Sequence, residues 1–228
     1  MKGQKNSVFA IFQKPPEDVF KWLTVFNTIA IIFLSIFIAF SYFSGRNGNG
    51  RPSDDSDSAG RKIDMKPVVD GARYTGADKP KVSIVVFNSF TCGFCRKASP
   101  VLNRVLQKYP DKVRLVYRHF IRNEMDIVAA NAVECAGEQN KFWQMHDQIF
   151  EDNSNEFNFN RYAQNLSMDV SQFKKCLTEN KFTNKIRNDS EMGQQLGIQG
   201  TPTFIINGNL VVGYRPFEVF DAMVKEAL

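Results

Sequence analysis

Apolar residues follow three rhythms along this chain, and each predicts a different kind of element. Between Lys21 and Arg46 no charged residue occurs, and Ile, Phe and Leu dominate. An apolar run of about 20 residues is long enough to cross a bilayer as a helix. Residues 82–87, Val-Ser-Ile-Val-Val-Phe, are a short run of β-formers that predicts a strand. After Cys95 the rhythm changes again. Ala98, Val101, Leu102, Val105 and Leu106 recur at helical spacing, so residues 93–108 predict an amphipathic helix. Pro100 lies inside it and is expected to interrupt and kink it, because proline removes one backbone hydrogen bond. Residues 113–120 alternate as a second strand, which completes a parallel strand, helix, strand unit with a right-handed crossover.

A helical block follows. Val128, Ala132 and Cys135, continued by Phe142, Met145 and Ile149, give residues 129–148 one apolar face. Further helices are predicted at 161–166, 171–177 and 181–196, with Asp169 or Ser171 as a cap and Gly197 as a terminator. The chain then returns to strands at 203–206 and 210–212, joined by an Asn207-Gly208 hairpin turn. Pro216 opens a last helix with Phe217, Phe220, Met223, Val224 and Leu228 on its apolar side. Ahead of the first strand, residues 66–81 hold sparse apolar positions among Gly71, Gly76 and Pro80, which suits a lead-in or a short edge strand. The order is β-α-β, helical insert, β-β-α, an α/β fold.

The N-terminal run divides the chain. Trp22 and Phe20 at one end, and Tyr42 and Phe43 at the other, suit the two headgroup interfaces. A cleaved signal peptide is the alternative, but the apolar stretch is long for one and no small-x-small pair precedes a polar residue. Residues 22–44 are therefore expected to be an uncleaved anchor in lipid, with 1–21 in the cytoplasm. Lysines and arginines flank both sides, so charge alone does not orient it. Residues 45–64, rich in Gly, Ser and Asp, read as a flexible tether, and 65–228 as the folded domain, with its helical insertion at about 123–197.

Composition narrows the function. Four cysteines in 228 residues are too few to build a disulfide miniprotein, so the core must come from the 43% apolar residues, 21 Phe among them. The net charge of +5 is scattered instead of gathered into a stripe, so nucleic acid is not expected as a partner.

The chemistry gathers at residues 87–95, FNSFTCGFC. A strand runs into Cys92-x-x-Cys95 and a helix begins there. Cys92 thus sits beside unpaired backbone N–H groups and the positive end of the helix dipole, where a thiolate is favoured over a thiol. The thiolate is the species that exchanges disulfides or binds metal. An oxidising compartment fits such a pair behind a membrane anchor. Phe90 and Phe94, flanking the cysteines, are expected to be exposed and to offer an apolar platform to substrates. Cys135 and Cys176 each fall on the apolar face of a predicted helix. In an oxidising compartment they are expected to pair as a structural disulfide; the alternative is two buried free thiols. Of the two histidines, His146 reads as a core or boundary residue, and His119 ends a strand near the cysteines. No zinc site with the C-x-x-C follows from them.

With Cys92-Gly93-Phe94-Cys95 after a strand, a helical insert, and Gly200-Thr201-Pro202-Thr203 before the returning strand, the chain resembles the thioredoxin fold. More closely it resembles the DsbA-like thiol:disulfide oxidoreductases of the bacterial envelope, through Tyr117-Arg118-His119-Phe120, Glu134-Cys135-Ala136 and Lys141-Phe142-Trp143. The resemblance implies Cys92 as nucleophile, Cys95 as resolving cysteine, and Thr201 with a cis Pro202 facing them and binding substrate beside Phe94. It implies protein thiols and disulfides as substrates, a membrane or soluble partner that recycles the pair, no cofactor, no metal, and a single-pass inner-membrane location with the domain outside the cytoplasm. Two departures bear on its strength as an oxidant: Val86 stands where members often carry a buried Glu, and no His lies between the cysteines. Gly-Phe with Thr201 also resembles the isomerase branch. A Cu(I)- or zinc-handling protein, or a binding module with incidental cysteines, are readings of another class.

Overall fold

The computed structural model describes residues 31–32, 34–35, 62–152 and 156–228. The chain divides into two compact units, residues 1–55 and 56–228, and the strands and helices named here lie in the second. The anchor expected at 22–44 falls, apart from four residues, outside the described residues, as does most of the expected tether. Among the described residues no helix is long and apolar enough to cross a membrane.

The chain enters through α1 (Met65–Val69), capped by the Asp64 carboxylate, which accepts from the Lys66 N–H. This helix was not expected from the sparse apolar pattern of the lead-in. Val68 plants it under the sheet. The edge strand β1 (Arg73–Gly76) follows, then β2 (Val82–Asn88), α2 (Gly93–Lys108) and β3 (Val113–His119). The helical insert comprises α3 (Glu124–Gly137), α4 (Phe142–Glu151), α5 (Phe159–Asn165), α6 (Val170–Thr178) and α7 (Thr183–Gln195). The chain closes with β4 (Thr203–Ile206), β5 (Asn209–Val212) and α8 (Phe217–Ala227).

These strands form one mixed sheet in the order β1-β3-β2-β4-β5, parallel between β2 and β3 and antiparallel elsewhere. Strand β2 sits at its centre and is buried on both faces, which is why its sequence reads as a near-continuous apolar run. Ile84, Val86, Leu115, Tyr117 and Phe204 face a core shared with α2, α8 and the insert. Val85, Phe87, Val116 and Ile205 face the other way, against Val68 and Ile198. The Asn207-Gly208 turn has φ of 46° and 91°, the two positive values that a tight hairpin with right-twisted strands requires. The Asn207 side chain fixes it to β2, accepting from the Ser83 N–H at 2.9 Å.

Helix α2 spans the expected residues 93–108 with Pro100 inside it and Cys92 as its N-cap. One expectation about helices is corrected. The apolar face read as continuous over 129–148 belongs to two helices, separated at residues 138–141, where Asn140 takes φ of 59°. Helix α3 is buried almost all round, and its alanines at 129, 130, 132 and 136 let neighbours close in from every side.

Candidate active site

Sequence dictates where the two sulfurs sit. Strand β2 ends at Asn88, three residues turn, and Cys92 becomes the N-cap of α2 with extended backbone and no side-chain cap bond of its own. Its N–H donates to the Ser89 carbonyl at 3.2 Å. Cys95, one turn into α2, is fully buried, and Cys92 nearly so; both are reduced. Across from them the Thr201–Pro202 peptide is cis, and the Pro202 carbonyl accepts from Gly213 at 2.8 Å. The Cys92 thiol donates to the Thr201 carbonyl at 3.2 Å. Cys92, Cys95, Thr201 and Pro202 are thus brought together from two ends of the sequence.

The two thiols are driven in opposite directions. The Cys92 pKa falls to about 5, chiefly through a hydrogen bond from Cys95, aided by Thr201 and the backbone N–H groups of Cys95 and Phe94, against the opposing effect of burial. Burial and the same bond to Cys92 push Cys95 far up. Thr201 contributes through its hydroxyl, since a carbonyl has no proton to give a thiolate. That hydroxyl is buried and makes no hydrogen bond among the described residues while Cys92 is a thiol. The carbonyl contact serves the thiol, and the hydroxyl can serve the thiolate.

Phe94 is 59% exposed beside Cys92, with Lys97 Nζ 5.6 Å from its ring centre. Phe90 is not exposed, against expectation. At 2% exposure it packs on Phe150, His146 and Tyr117, with ring centres 5.0, 5.8 and 5.9 Å away. Insert helix α4 supplies His146 and Phe150 of that aromatic cage and β3 supplies Tyr117, and nothing local to residues 87–95 announces it. Phe90 therefore anchors the loop from below, and Phe94 alone of the pair offers an apolar surface. Cys135 on α3 and Cys176 on α6 are joined by a disulfide inside the insert. His146 is buried in the aromatic cage, its Nδ1 2.8 Å from Asp147.

Two polar clusters near the site were not read from the sequence. Asp126, at the head of α3, receives the loop residues Ser89 and Thr91. Asn123 followed by Asp126 has the spacing of a helix-start capping pair, and that signal could have found it. Deeper, Glu134 meets His119 Nε2 at 3.0 Å, Lys185 at 2.9 Å and Arg73 at 3.1 Å. Burial pushes Glu134 up, but His119 and Lys185 outweigh it and hold the carboxyl at about 2. Lys185 continues to Asp189, which pairs with Arg118 at 2.6 Å. Among the described residues Tyr117 Oη and His119 Nδ1 are buried without hydrogen-bond partners.

A cis-proline loop facing a helix-capping C-x-x-C defines a thioredoxin-type redox centre. The thioredoxin family model matches residues 69–226, and the chain belongs to that family. It is 33% identical over 150 residues to the probable disulfide bond formation protein D of Bacillus anthracis, covering 59% of this chain and 69% of that one. It is also 31% identical over 172 residues to the Na(+)/H(+) antiporter NhaA 3 of Salinispora tropica, covering 72% of this chain. It spans about a quarter (26%) of that antiporter's length. Among solved structures, a thioredoxin-like oxidoreductase from Silicibacter pomeroyi DSS-3 shares 26% identity and a TM-score of 0.66, covering 72% of this chain and 98% of the other. BdbD from Bacillus subtilis, at 18% identity, TM-score 0.63, and 73% and 96% coverage, shares the fold.

Proposed function

We propose that the chain is a thiol:disulfide oxidoreductase for extracytoplasmic proteins, with Cys92 as nucleophile, Cys95 as resolving cysteine, and oxidation of substrate dithiols as its main direction. The observation that carries this reading is the opposed pair of thiols: Cys92 held near pKa 5 and Cys95 held protonated beside it. In the oxidised enzyme a substrate thiolate attacks the Cys92 sulfur, and the Cys92–Cys95 bond breaks with its electrons going to Cys95, which takes up a proton. A second substrate thiolate then attacks the substrate sulfur of the mixed disulfide. Cys92 departs as a stable thiolate, a good leaving group because its pKa is low. Substrate disulfide is the product, and the reduced Cys92–Cys95 pair awaits reoxidation by a recycling partner. The cis Thr201–Pro202 segment and exposed Phe94 are the substrate-binding surface, and Cys135–Cys176 is structural.

The low Cys92 pKa also favours oxidation, since whatever stabilises the reduced form raises the potential. A pKa of about 5 lies between roughly 3.5 for the strongest oxidants and about 7 for thioredoxin. The corresponding potential is on the order of −200 mV, between about −120 and −270 mV. Glutathione titration of the pair tests this: a value at or below the thioredoxin end would assign a reductase. Cys95→Ser should accumulate mixed disulfides when offered protein disulfides, Cys92 bonding one substrate sulfur while the other leaves as a thiolate, and Cys92→Ser should form none; equal trapping by both would remove the role assignment. The charge-free run before Arg46 supports anchoring of residues 22–44 in the inner membrane with the domain outside, and release of the protein by alkaline washing of membranes would refute it.

A further inference from the structure

Resting on Cys92 as the nucleophile, we propose that Asp126 is the positioning residue that holds the nucleophile's loop in register with the N-terminus of α2. The Asp126 carboxylate is 2% exposed. Its Oδ1 accepts from Ser89 Oγ at 2.8 Å, the Thr91 N–H at 3.0 Å and Thr91 Oγ1 at 3.0 Å. Its Oδ2 accepts from the Arg122 N–H at 2.9 Å. Asn123 closes the clasp from the other side, donating to Thr91 Oγ1 at 2.9 Å and accepting from the Asp126 N–H at 3.1 Å. The two loop residues held this way bracket the nucleophile's own anchorage. Thr91 precedes Cys92 in the chain, and the carbonyl of Ser89 accepts the Cys92 N–H.

Cys92 has no side-chain cap bond to α2; its sulfur touches the Thr201 carbonyl across the site, so what holds it over the helix end on its own side is the loop before it. That loop is tied to the insert by the packing of Phe90, by Asn123, and, for most of its polar contacts, by the Asp126 carboxylate. Four donors converging on two oxygens is the number a buried carboxylate needs, and charge-assisted bonds hold geometry more tightly than neutral ones. Asp126 acts here by position, because a buried negative charge close to a thiolate disfavours it. The two effects have opposite signs, which makes them separable.

The test is the Cys92 thiolate titration by absorbance at 240 nm on the reduced full chain, with the rate constant toward oxidised glutathione at pH 5. Asp126→Ala is expected to raise the Cys92 pKa by about one unit and slow exchange at pH 5 about fivefold, the loss of thiolate fraction that one unit gives there. Asp126→Asn keeps an oxygen for the three loop donors but sets an amide N–H against the Arg122 N–H, and should fall between wild type and Asp126→Ala. Ser89→Ala combined with Thr91→Val keeps the carboxylate, removes both hydroxyl donors, and should shift the pKa upward as Asp126→Ala does; this pair decides if Asp126→Ala does not fold. A lowered pKa in Asp126→Ala would show that its charge dominates, and an unchanged pKa in folded variants would reduce the clasp to a structural contact. Either overturns the proposal. Absence of a low-pKa thiolate in the wild-type chain would instead sink the reading of Cys92 as nucleophile.

Discussion

Taking the reduced protein from pH 7 to pH 5 should remove a stabilisation that the oxidised protein never has. Cys92 titrates near about 5 in the folded state and near 9.0 as an ordinary thiol. Folding depresses the pKa, so between those values the unfolded reduced chain binds more protons than the folded one, and stability rises with pH. At pH 7 the folded sulfur is ionised and the unfolded one is not, which corresponds to about two pKa units. At pH 5 the folded sulfur is half protonated and most of that is gone. The difference between the two pH values is roughly 2.3 kcal/mol, and screening by water at the active-site surface trims it to about 2 kcal/mol. In the oxidised protein both sulfurs are in a disulfide and the contribution is absent. Other groups titrate alike in the two forms and cancel in the comparison.

Urea unfolding of both forms at pH 5 and pH 7 measures it, with the reduced sample prepared so that two thiols are counted and the Cys135–Cys176 bond is kept. The reduced-minus-oxidised stability should rise by about 2 kcal/mol over the two pH units, equivalent to a potential about 40 mV more oxidising than a pair lacking the effect. Parallel pH dependences in the two redox forms would refute the reasoning, because they would mean that Cys92 enters the folded state with an ordinary pKa.

Thr201→Val removes the hydroxyl that can donate to the thiolate and should raise the Cys92 pKa by roughly one unit, seen at 240 nm, and make the pair about 30 mV more reducing. Glu134→Ala leaves Arg73, Lys185 and His119 around a buried vacancy of charge and should cost about 3–5 kcal/mol in urea unfolding. In the wild type the contribution of Glu134, whose pKa is held at about 2, is complete above its ordinary 4.5 and is lost as the pH falls between those values. Replacing Cys135 and Cys176 by Ala opens a cross-link spanning 41 residues and should cost about 2–4 kcal/mol, while the Cys92 titration stays where it is.

What was legible in the sequence was what is local. The run 82–87, the helix opening at Cys92 and the Asn207-Gly208 turn each carry their own signal within a few residues, and the sheet and the place of Cys92 and Cys95 at a helix start followed from them. Phe90 shows where this stops: its burial is decided by Tyr117, His146 and Phe150, which arrive 27 to 60 residues later, as their numbers show. The same holds for Glu134, whose partner Arg73 lies 61 residues away and whose charge in an otherwise alanine-rich helix gives no periodic cue. The break at residues 138–141 was missed because apolar residues on both sides keep nearly the same phase, while the left-handed Asn140 that ends the first helix is one polar residue among several.

Three other long-range ties meet on one helix. Along α3, Asp126 in the first turn holds the loop before Cys92, Glu134 two turns on joins β1, β3 and α7, and Cys135 ties α6 by its disulfide. A helix buried nearly all round has no solvent face on which to place such groups, so each must be satisfied by a specific partner, and each partner fixes the helix against a different element. The rigidity this gives α3 reaches the site at one point, where its first turn meets Ser89 and Thr91. An insert that only roofed the core could be repacked with apolar residues of similar volume at modest cost. This one cannot be repacked at Asp126 without releasing the backbone on either side of the turn from which Cys92 presents its sulfur.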